Sequence, residues 1–444
     1  MKSVYLKISK IIICVIIICF IFSGCSFRIA SSVDELISPV APSGENENVQ
    51  NALSSFCKDG FTLKTPAGGK HTTAYTFFDY DGDGSDEAVV FYELSSALGS
   101  INMALIDKIG ENWAVVCNVE GDGSDVYAVD FCDLSGDGTL EFIVLWNVIS
   151  NSSNHLMNVY SQSKNDDGSI IMSKTEKPIV MNDYIAVDVD EDNQNELVVF
   201  SIESGESISA NAVLYRYTDD RLRSLGSTKL DGHINSYKSI KAEKFDGLVY
   251  IYADAVKSNG TEMLTEIIHW SDYYNTIVSP FYSYSTGVTK RTTRSAMLSS
   301  RDINGDGKID VPLDAEFDAP VGVTAVNWKR YENTVLEHIA YSIGVEKDDY
   351  QLVIPDDVFE RIKVQYDPSK SLLTVLDEND KLVFNIQTVL KSQYTDNNVN
   401  YANSGYSVIS EEVGYVYLSS VGSESEIVFS IDDLKNLIKP YKGE

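Results

Sequence analysis

The sequence predicts a mainly β protein, built as an array of similar strand–loop–strand units and followed by a small α+β region. Three observations carry that prediction. Short acidic loops recur in register through the middle of the chain. Apolar runs rich in β-branched and aromatic residues flank them. The loops stop after Pro312 while strand-like runs continue. The composition suits such a fold, since 43% of the 444 residues are hydrophobic and 11% aromatic, enough to bury a core. Asp plus Glu number 66 against 35 Lys plus Arg, a formal charge of −31. That field repels phosphate backbones, which speaks against nucleic acid as a partner, and it attracts cations.

The first 25 residues read as an address and an anchor. Lys2, Lys7 and Lys10 precede the apolar run 11–22, which is too short for an ordinary transmembrane helix and matches a signal peptide. Phe22-Ser23-Gly24-Cys25 then resembles a bacterial lipoprotein lipobox. The resemblance implies removal of residues 1–24, lipidation of Cys25 and an extracytoplasmic, membrane-anchored protein. The alternative is a plain secretory peptide with an incidental cysteine. Residues 25–60 read as the lipidated Cys, a tether containing Pro39, Pro42, Ser43 and Gly44, and a short helix near 46–57. Of the six cysteines, Cys57, Cys117 and Cys132 remain for the folded part. An odd count argues against a disulfide framework. Cys117 and Cys132 could pair, buried free thiols being the simpler reading.

Four acidic segments align without gaps. They begin at Asp79, Asp133, Asp188 and Asp302, separated by 54, 55 and 114 residues. The last gap is about two periods, which predicts a copy without its loop near residue 243, where Phe245–Tyr252 is strand-like. In every loop, side-chain oxygens stand at relative positions 1, 3 and 5 and a carboxylate at 9. Position 6 is Gly84, Gly138, Asn193 and Gly307, residues that best tolerate positive φ. Hard oxygens on a tight loop suit Ca²⁺, with the position 7 carbonyl and water completing the shell. An EF-hand is excluded, because position 12 is Val90, Val144, Val199 and Leu313 rather than Glu, and because strand-like runs such as Ala88–Phe91, Phe142–Trp146 and Leu197–Phe200 follow the loops instead of helices.

Strand-flanked loops of this pattern and spacing resemble the FG-GAP/VCBS repeats of integrin-like β-propellers, over roughly residues 61–325. The resemblance implies a β-propeller of about five to seven blades with one calcium loop in a hairpin of each blade. It carries metal ligation onto Asp79, Asp81, Asp83, Ser85 and Glu87; Asp133, Ser135, Asp137, Thr139 and Glu141; Asp188, Asp190, Asp192, Gln194 and Glu196; and Asp302, Asn304, Asp306, Lys308 and Asp310. Ser85, Thr139, Gln194 and Lys308 would offer only the main-chain oxygen. The Phe-Gly and Gly-Ala-Pro segments that name the family are absent, and the five recognisable units are fewer than the family's usual blades. The similar run Glu120–Asp125 lacks the closing carboxylate, having Val126 at position 9, and is predicted to be a hairpin turn.

Residues 326–444 are predicted to form an α+β domain. Strands are expected at 350–354, 362–366, 372–376, 382–386 and 415–418, with a capped helix after Ser430 that stops at Pro440. This region could instead donate strands that complete the propeller. The layout as a whole is similar to lipoproteins of anaerobic Gram-positive bacteria.

No catalytic motif stands out. His71, His155, His233, His269 and His338 are scattered, and no His-Glu-x-x-His, Cys-x-x-Cys, Gly-x-Ser-x-Gly or phosphate loop occurs. The run 290–294, with Lys290, Arg291 and Arg294, reads as a solvated loop in preference to a patch that binds an acidic surface. The tyrosines between 273 and 284 read as paired strands or a sheet edge, or as a surface that stacks on sugars. Two classes of function remain open. One is a non-enzymatic surface module that binds a protein or glycan, and the other is an extracellular polysaccharide hydrolase or lyase. The first is favoured.

Overall fold

The computed structural model describes residues 44–442 except 81, 149–152, 167 and 204–208. The described residues fall into two units that divide after Asn51. The expected short helix spans Glu45–Phe56, with Glu45 and Glu47 in its first turn, where negative charge meets the positive end of the helix dipole. The signal segment, Cys25 and the tether up to residue 43 lie outside the described residues. No described helix is long and apolar enough to cross a membrane.

The second unit is mainly β, with several small antiparallel sheets and few helices. The first sheet is built on Glu87–Leu94, Ile101–Ile109 and Asn112–Glu120, and both Phe61–Lys64 and Thr76–Phe78 pair with Glu87–Leu94. The second runs Asp125–Cys132, Glu141–Asn147, His155–Lys164, with Ile170–Lys174 and Ile179–Met181 sharing its far edge. The third is Asp183–Val187, Glu196–Glu203, Ser209–Thr218, Arg221–Leu230. The fourth is Ile234–Phe245, Leu248–Lys257, Met263–Ser271, Thr276–Val278. The fifth joins Val311–Asp314, Thr324–Glu332, Val335–Val345 and Tyr350–Ile354 to the late strand Ile438–Pro440, so segments on both sides of residue 325 share one sheet. The sixth orders Ile362–Asp367, Leu372–Asp377, Leu382–Leu390, Tyr415–Val421, Ser407–Glu411.

Each sheet packs on the next through alternate residues of the same strand. Phe142, Val144 and Trp146 face a core shared with Val89 and Phe91 of the first sheet. Their neighbours Ile143 and Leu145 face Leu197 and Val199 of the third. Val198 and Phe200 turn the other way, onto Ile251 and Ala253 of the fourth. Tyr252 and Ile267 meet Val311 and Tyr331 of the fifth, and the fifth shares a core with the sixth. A strand covered on both faces cannot alternate apolar with polar, which is why the sequence shows unbroken apolar runs after each acidic loop. Each such side chain contributes about 1.5–3 kcal/mol through burial.

The copy lacking an acidic loop is present. Phe245 pairs with Leu248 across the two-residue turn Asp246-Gly247, both residues at positive φ, so the run read as one strand is the tip of a hairpin. Glu120–Asp125 is not a hairpin turn, since it passes from the last strand of the first sheet to the first strand of the second. Its glycines are needed for contact with Trp146, because a Cβ on Gly121 would lie 2.4 Å from the indole. The expected C-terminal strands form, and Ser430 and Asp433 make a reciprocal capping box on the helix Ile431–Leu437. The helix Lys391–Asn403 was not anticipated. It has no side-chain cap and no buried residue, and only Tyr394 and Tyr401 pack on the cluster of Val389, Val416 and Leu418. Cys57, Cys117 and Cys132 are free thiols, and burial, followed by the charges of Asp130, Asp133 and Glu141, pushes Cys132 up to about 11.

Candidate metal-binding loops

Three of the four acidic loops are the turns of hairpins. Loop 79–87 joins Thr76–Phe78 to Glu87–Leu94, loop 133–141 joins Asp125–Cys132 to Glu141–Asn147, and loop 188–196 joins Asp183–Val187 to Glu196–Glu203. Before the fourth loop the first strand has shrunk to one bridge, Arg301 to Asp310.

All four are held by the same hydrogen bonds. The position 1 carboxylate accepts backbone N–H groups from the far side of the turn. Asp79 receives Gly82, Asp83 and Gly84 at 2.8, 3.1 and 3.0 Å. Asp133 receives Gly136 and Gly138, Asp188 receives Asp192 and Asn193, and Asp302 receives Gly305, Asp306 and Gly307. The position 5 carboxylate accepts the N–H of position 7, Ser85, Thr139, Gln194 or Lys308, at 2.7–3.0 Å. The position 9 carboxylate is buried beneath the loop and accepts the N–H of position 2, as Glu87 does from Tyr80, Glu141 from Leu134, Glu196 from Val189 and Asp310 from Ile303. Positions 4 and 6 both take positive φ. The sequence reading found position 6. It passed over position 4, where Gly82, Gly136 and Gly305 are joined by Glu191 at φ 64°.

Burial makes the closing carboxylates costly. It pushes the Glu141 and Glu196 carboxyls above the usual range, and it pushes Asp310 up to about 6. By contrast the hydroxyl and amide of Thr139 hold Asp137 low. Ligand atoms of Asp188, Asp190 and Glu196 lie within 4.8 Å of one another, an acidic triad that could hold a metal ion. Of the other position 3 residues, Ser135 Oγ reaches Asp133 at 3.5 Å, Asn304 donates to Asp306 at 3.1 Å, and Asp81 lies outside the described residues. Among the described residues that acidic triad is the one such group, and Asp133, Asp137 and Glu141 are not gathered in this way. Two loops do have a cationic side chain. Arg216 Nη2 lies 2.9, 3.0 and 2.5 Å from Asp190, Asp192 and Glu196. Arg330 grips both oxygens of Asp306 and also Oδ1 of Asp310, at 2.8–3.0 Å.

The loops sit side by side along one edge of successive sheets. Gln194 and Asn195 donate their side-chain amides to the carbonyls of Leu134 and Asp133 in the preceding loop. Lys244, next to the Asp246-Gly247 turn, pairs with Glu191, and Glu243 accepts the N–H of Ile309. Lys308 lies over the ring of Phe245 at 3.9 Å.

Elsewhere the sequence reading missed buried charge. Arg294 does not sit in a solvated loop but is buried against Asp254. Glu266, fully buried in the strand Met263–Ser271, accepts from Asp231 N, Thr289 Oγ1 and Ser279 Oγ, all at 2.8 Å, and burial pushes it up to about 7. Neither carries a local sequence motif. The five histidines have separate surroundings: His155 stacks on Tyr127, His233 pairs with Asp231, and His338 with Asn327 and Asp356. Tyr273, Tyr274 and Tyr284 are strongly exposed. A cleft of about 830 Å³ opens between the fifth and sixth sheets, lined by Glu316, Asp318, Lys329, Tyr341, Phe359 and Glu360 among others.

Fold and loops together define a mainly β, multi-sheet protein with acidic hairpin loops on one edge of its sheets. No known family profile matches the chain, and no curated protein matches it. Among solved structures it is similar to Bacillus licheniformis Rhamnogalacturonan Lyase PL11, with a TM-score of 0.27 and 11% identity, over 86% of this chain and 77% of that one.

Proposed function

We propose that this chain is a lipid-anchored extracytoplasmic protein whose successive sheets form a calcium-stabilised β-propeller, and that the propeller is a binding module for a protein or glycan. The observation that carries the calcium reading is the triad of Asp188, Asp190 and Glu196, whose ligand atoms lie within 4.8 Å of one another, set on a hydrogen-bonded loop scaffold that the other three acidic loops share. Carboxylates gathered this closely repel unless a cation lies among them. A cation that binds only the folded form stabilises it by about 2.7 kcal/mol per site at a hundredfold excess over Kd. The exposed rings of Tyr273, Tyr274 and Tyr284 support glycan binding, since a flat ring stacks on a sugar face.

The test is thermal unfolding of the detergent-solubilised full chain with chelator and with millimolar Ca²⁺. Calcium is expected to raise Tm, and identical curves would refute the assignment. The cleft lined by Glu316, Asp318, Glu360 and Tyr341 supports a second reading, polysaccharide cleavage. A glycan array followed by assay of each hit separates the two, because specific binding without cleavage removes the enzyme reading for that ligand.

A further inference from the structure

We infer that the cleft between the fifth and sixth sheets takes an extended basic peptide of a partner protein, which pairs as an added strand with Ile362–Asp367. This deepens the binding-module reading above, naming protein rather than glycan as the ligand of this cleft. Side chains of a strand alternate between its faces, so consecutive residues line a cleft together only along the strand's edge. Residues 362–365 all line this one. Ile362–Asp367 is the outermost strand of the sixth sheet and pairs on one side only, with Leu372–Asp377. The N–H and C=O groups of alternate residues therefore point away from that partner and towards the cleft. Among the described residues 362–365 have no other backbone partner. The facing wall is 316–318, which lies in no strand. Its three N–H groups find no acceptor among the described residues either. A strand laid between these walls supplies partners on both sides.

The side chains around the slot select the peptide. Phe317, Tyr341 and Phe359 line it with rings, Tyr341 stacked on Phe359 at 4.1 Å. Glu316, Asp318 and Glu360 also line it and are exposed. Asp314 is taken up by the N–H groups of Ser295 and Ala296. Of the two lysines in the lining, Lys363 turns to Asp380 and to the carbonyl of Glu378. Lys329 is thus set against three carboxylates. The complementary strand alternates apolar residues, which meet the rings, with lysine or arginine, which meet the acids. Four residues of edge at about 3.4 Å each let an octapeptide pair along half its length.

Peptide binding tests this. A fluorescein-labelled octapeptide of alternating lysine and valine is titrated with the full chain in detergent, at about 0.15 M salt, and read by anisotropy. It is expected to bind, and one of alternating glutamate and valine is not. Methylating the backbone nitrogens keeps the peptide's charge, removes its N–H groups and is expected to abolish binding. Glu316→Gln with Asp318→Asn is expected to weaken binding about tenfold. Glu111→Gln with Asp166→Asn removes two charges from exposed turns of the first and second sheets and is expected to change it less than about twofold. All four residues are exposed, so these variants keep the fold. No binding by the wild type, equal binding of the methylated peptide, or equal weakening in the two double variants overturns the proposal. So does a glucosamine oligosaccharide that binds in the peptide's place and depends on Glu316 and Asp318, which gives the cleft to a cationic glycan. A dimer in light scattering that the same two substitutions dissociate gives it to a second copy and overturns the proposal too. The calcium reading is tested separately, by melting curves without peptide, and glycan-array hits that do not depend on Glu316 and Asp318 would keep the binding-module reading.

Discussion

Asp254 and Arg294 form an ion pair at 3.0 Å that is sealed from solvent. Asp254 Oδ1 also accepts from the hydroxyls of Thr265 and Ser300, and Oδ2 from the N–H of Ser300. Arg294 gives its remaining N–H groups to Leu298 O, Thr292 O and Thr265 Oγ1. The pair thus pins the irregular segment before the fourth acidic loop onto the fourth sheet. Asp254→Asn leaves the guanidinium buried without its counter-charge and is expected to cost about 3–5 kcal/mol in urea unfolding. Asp254→Leu combined with Arg294→Met removes both charges and is expected to cost less than either single change.

That pair also marks where sequence reasoning stops. The acidic loops were legible because each is a local object: Asp79 to Glu87 spans nine residues, and the bonds from Gly82 and Gly84 to Asp79 and from Tyr80 to Glu87 close within that span. The runs Phe142–Trp146 and Leu197–Phe200 were legible because both faces of those strands are covered. Arg294 was not, because Lys290, Arg291 and Arg294 read alike until the fold buries one of them. Arg216 and Arg330 were missed because the register that aims them is set by a whole hairpin. A residue 20 positions beyond each closing carboxylate was a signal present in the sequence and unread. Glu191 was missed because glutamate gives no sign of positive φ.

Glu266 makes stability depend on pH in an identifiable sense. Burial pushes its carboxyl up to about 7 in the folded chain, against an ordinary value of 4.5. A raised carboxyl favours the folded state below the unfolded value, and that stability is lost as pH rises through the folded one. Between pH 4.5 and 7 the contribution of Glu266 is therefore expected to fall by about 3 kcal/mol. Glu266→Gln keeps an acceptor for Asp231 N and Thr289 Oγ1 while removing the titration. Urea midpoints measured from pH 5 to 8 are expected to fall less steeply in the variant than in wild type, and parallel profiles would count against the assignment.

Position 4 of the loops offers a stabilising change. Glu191 holds φ 64° where the other loops have glycine, a conformation that costs a residue with Cβ about 1–2 kcal/mol. Its ion pair with Lys244 is exposed and worth less than about 1 kcal/mol. Glycine brings back a chain-entropy cost of about 0.5–1 kcal/mol. These terms sum to between about −1 and +1.5 kcal/mol, so Glu191→Gly is expected to be stabilising by a few tenths of a kcal/mol. Gly305→Ala is the converse, because its Cβ would meet nothing within 4 Å and any loss comes from φ 83° alone. That strain of about 1–2 kcal/mol is offset by about 0.5–1 kcal/mol of chain entropy, so a net loss of about 0.5–1 kcal/mol is expected by chemical denaturation.

Glu141 should reverse the sign of a mutation according to whether metal is present. Its carboxylate is buried under loop 133–141, accepts the N–H groups of Leu134 and Ser135, and is pushed up by burial. Without a cation its charge is a liability, so Glu141→Gln, which keeps the shape and an oxygen acceptor, is expected to leave Tm in chelator equal or higher. With calcium the same charge becomes a ligand. The variant then forgoes one site's stabilisation, about 2.7 kcal/mol at a hundredfold excess over Kd. Melting curves of both proteins in chelator and in calcium are therefore expected to cross, wild type gaining more than the variant. Equal calcium gains in the two would show that Glu141 is not a ligand, whatever the other loops do.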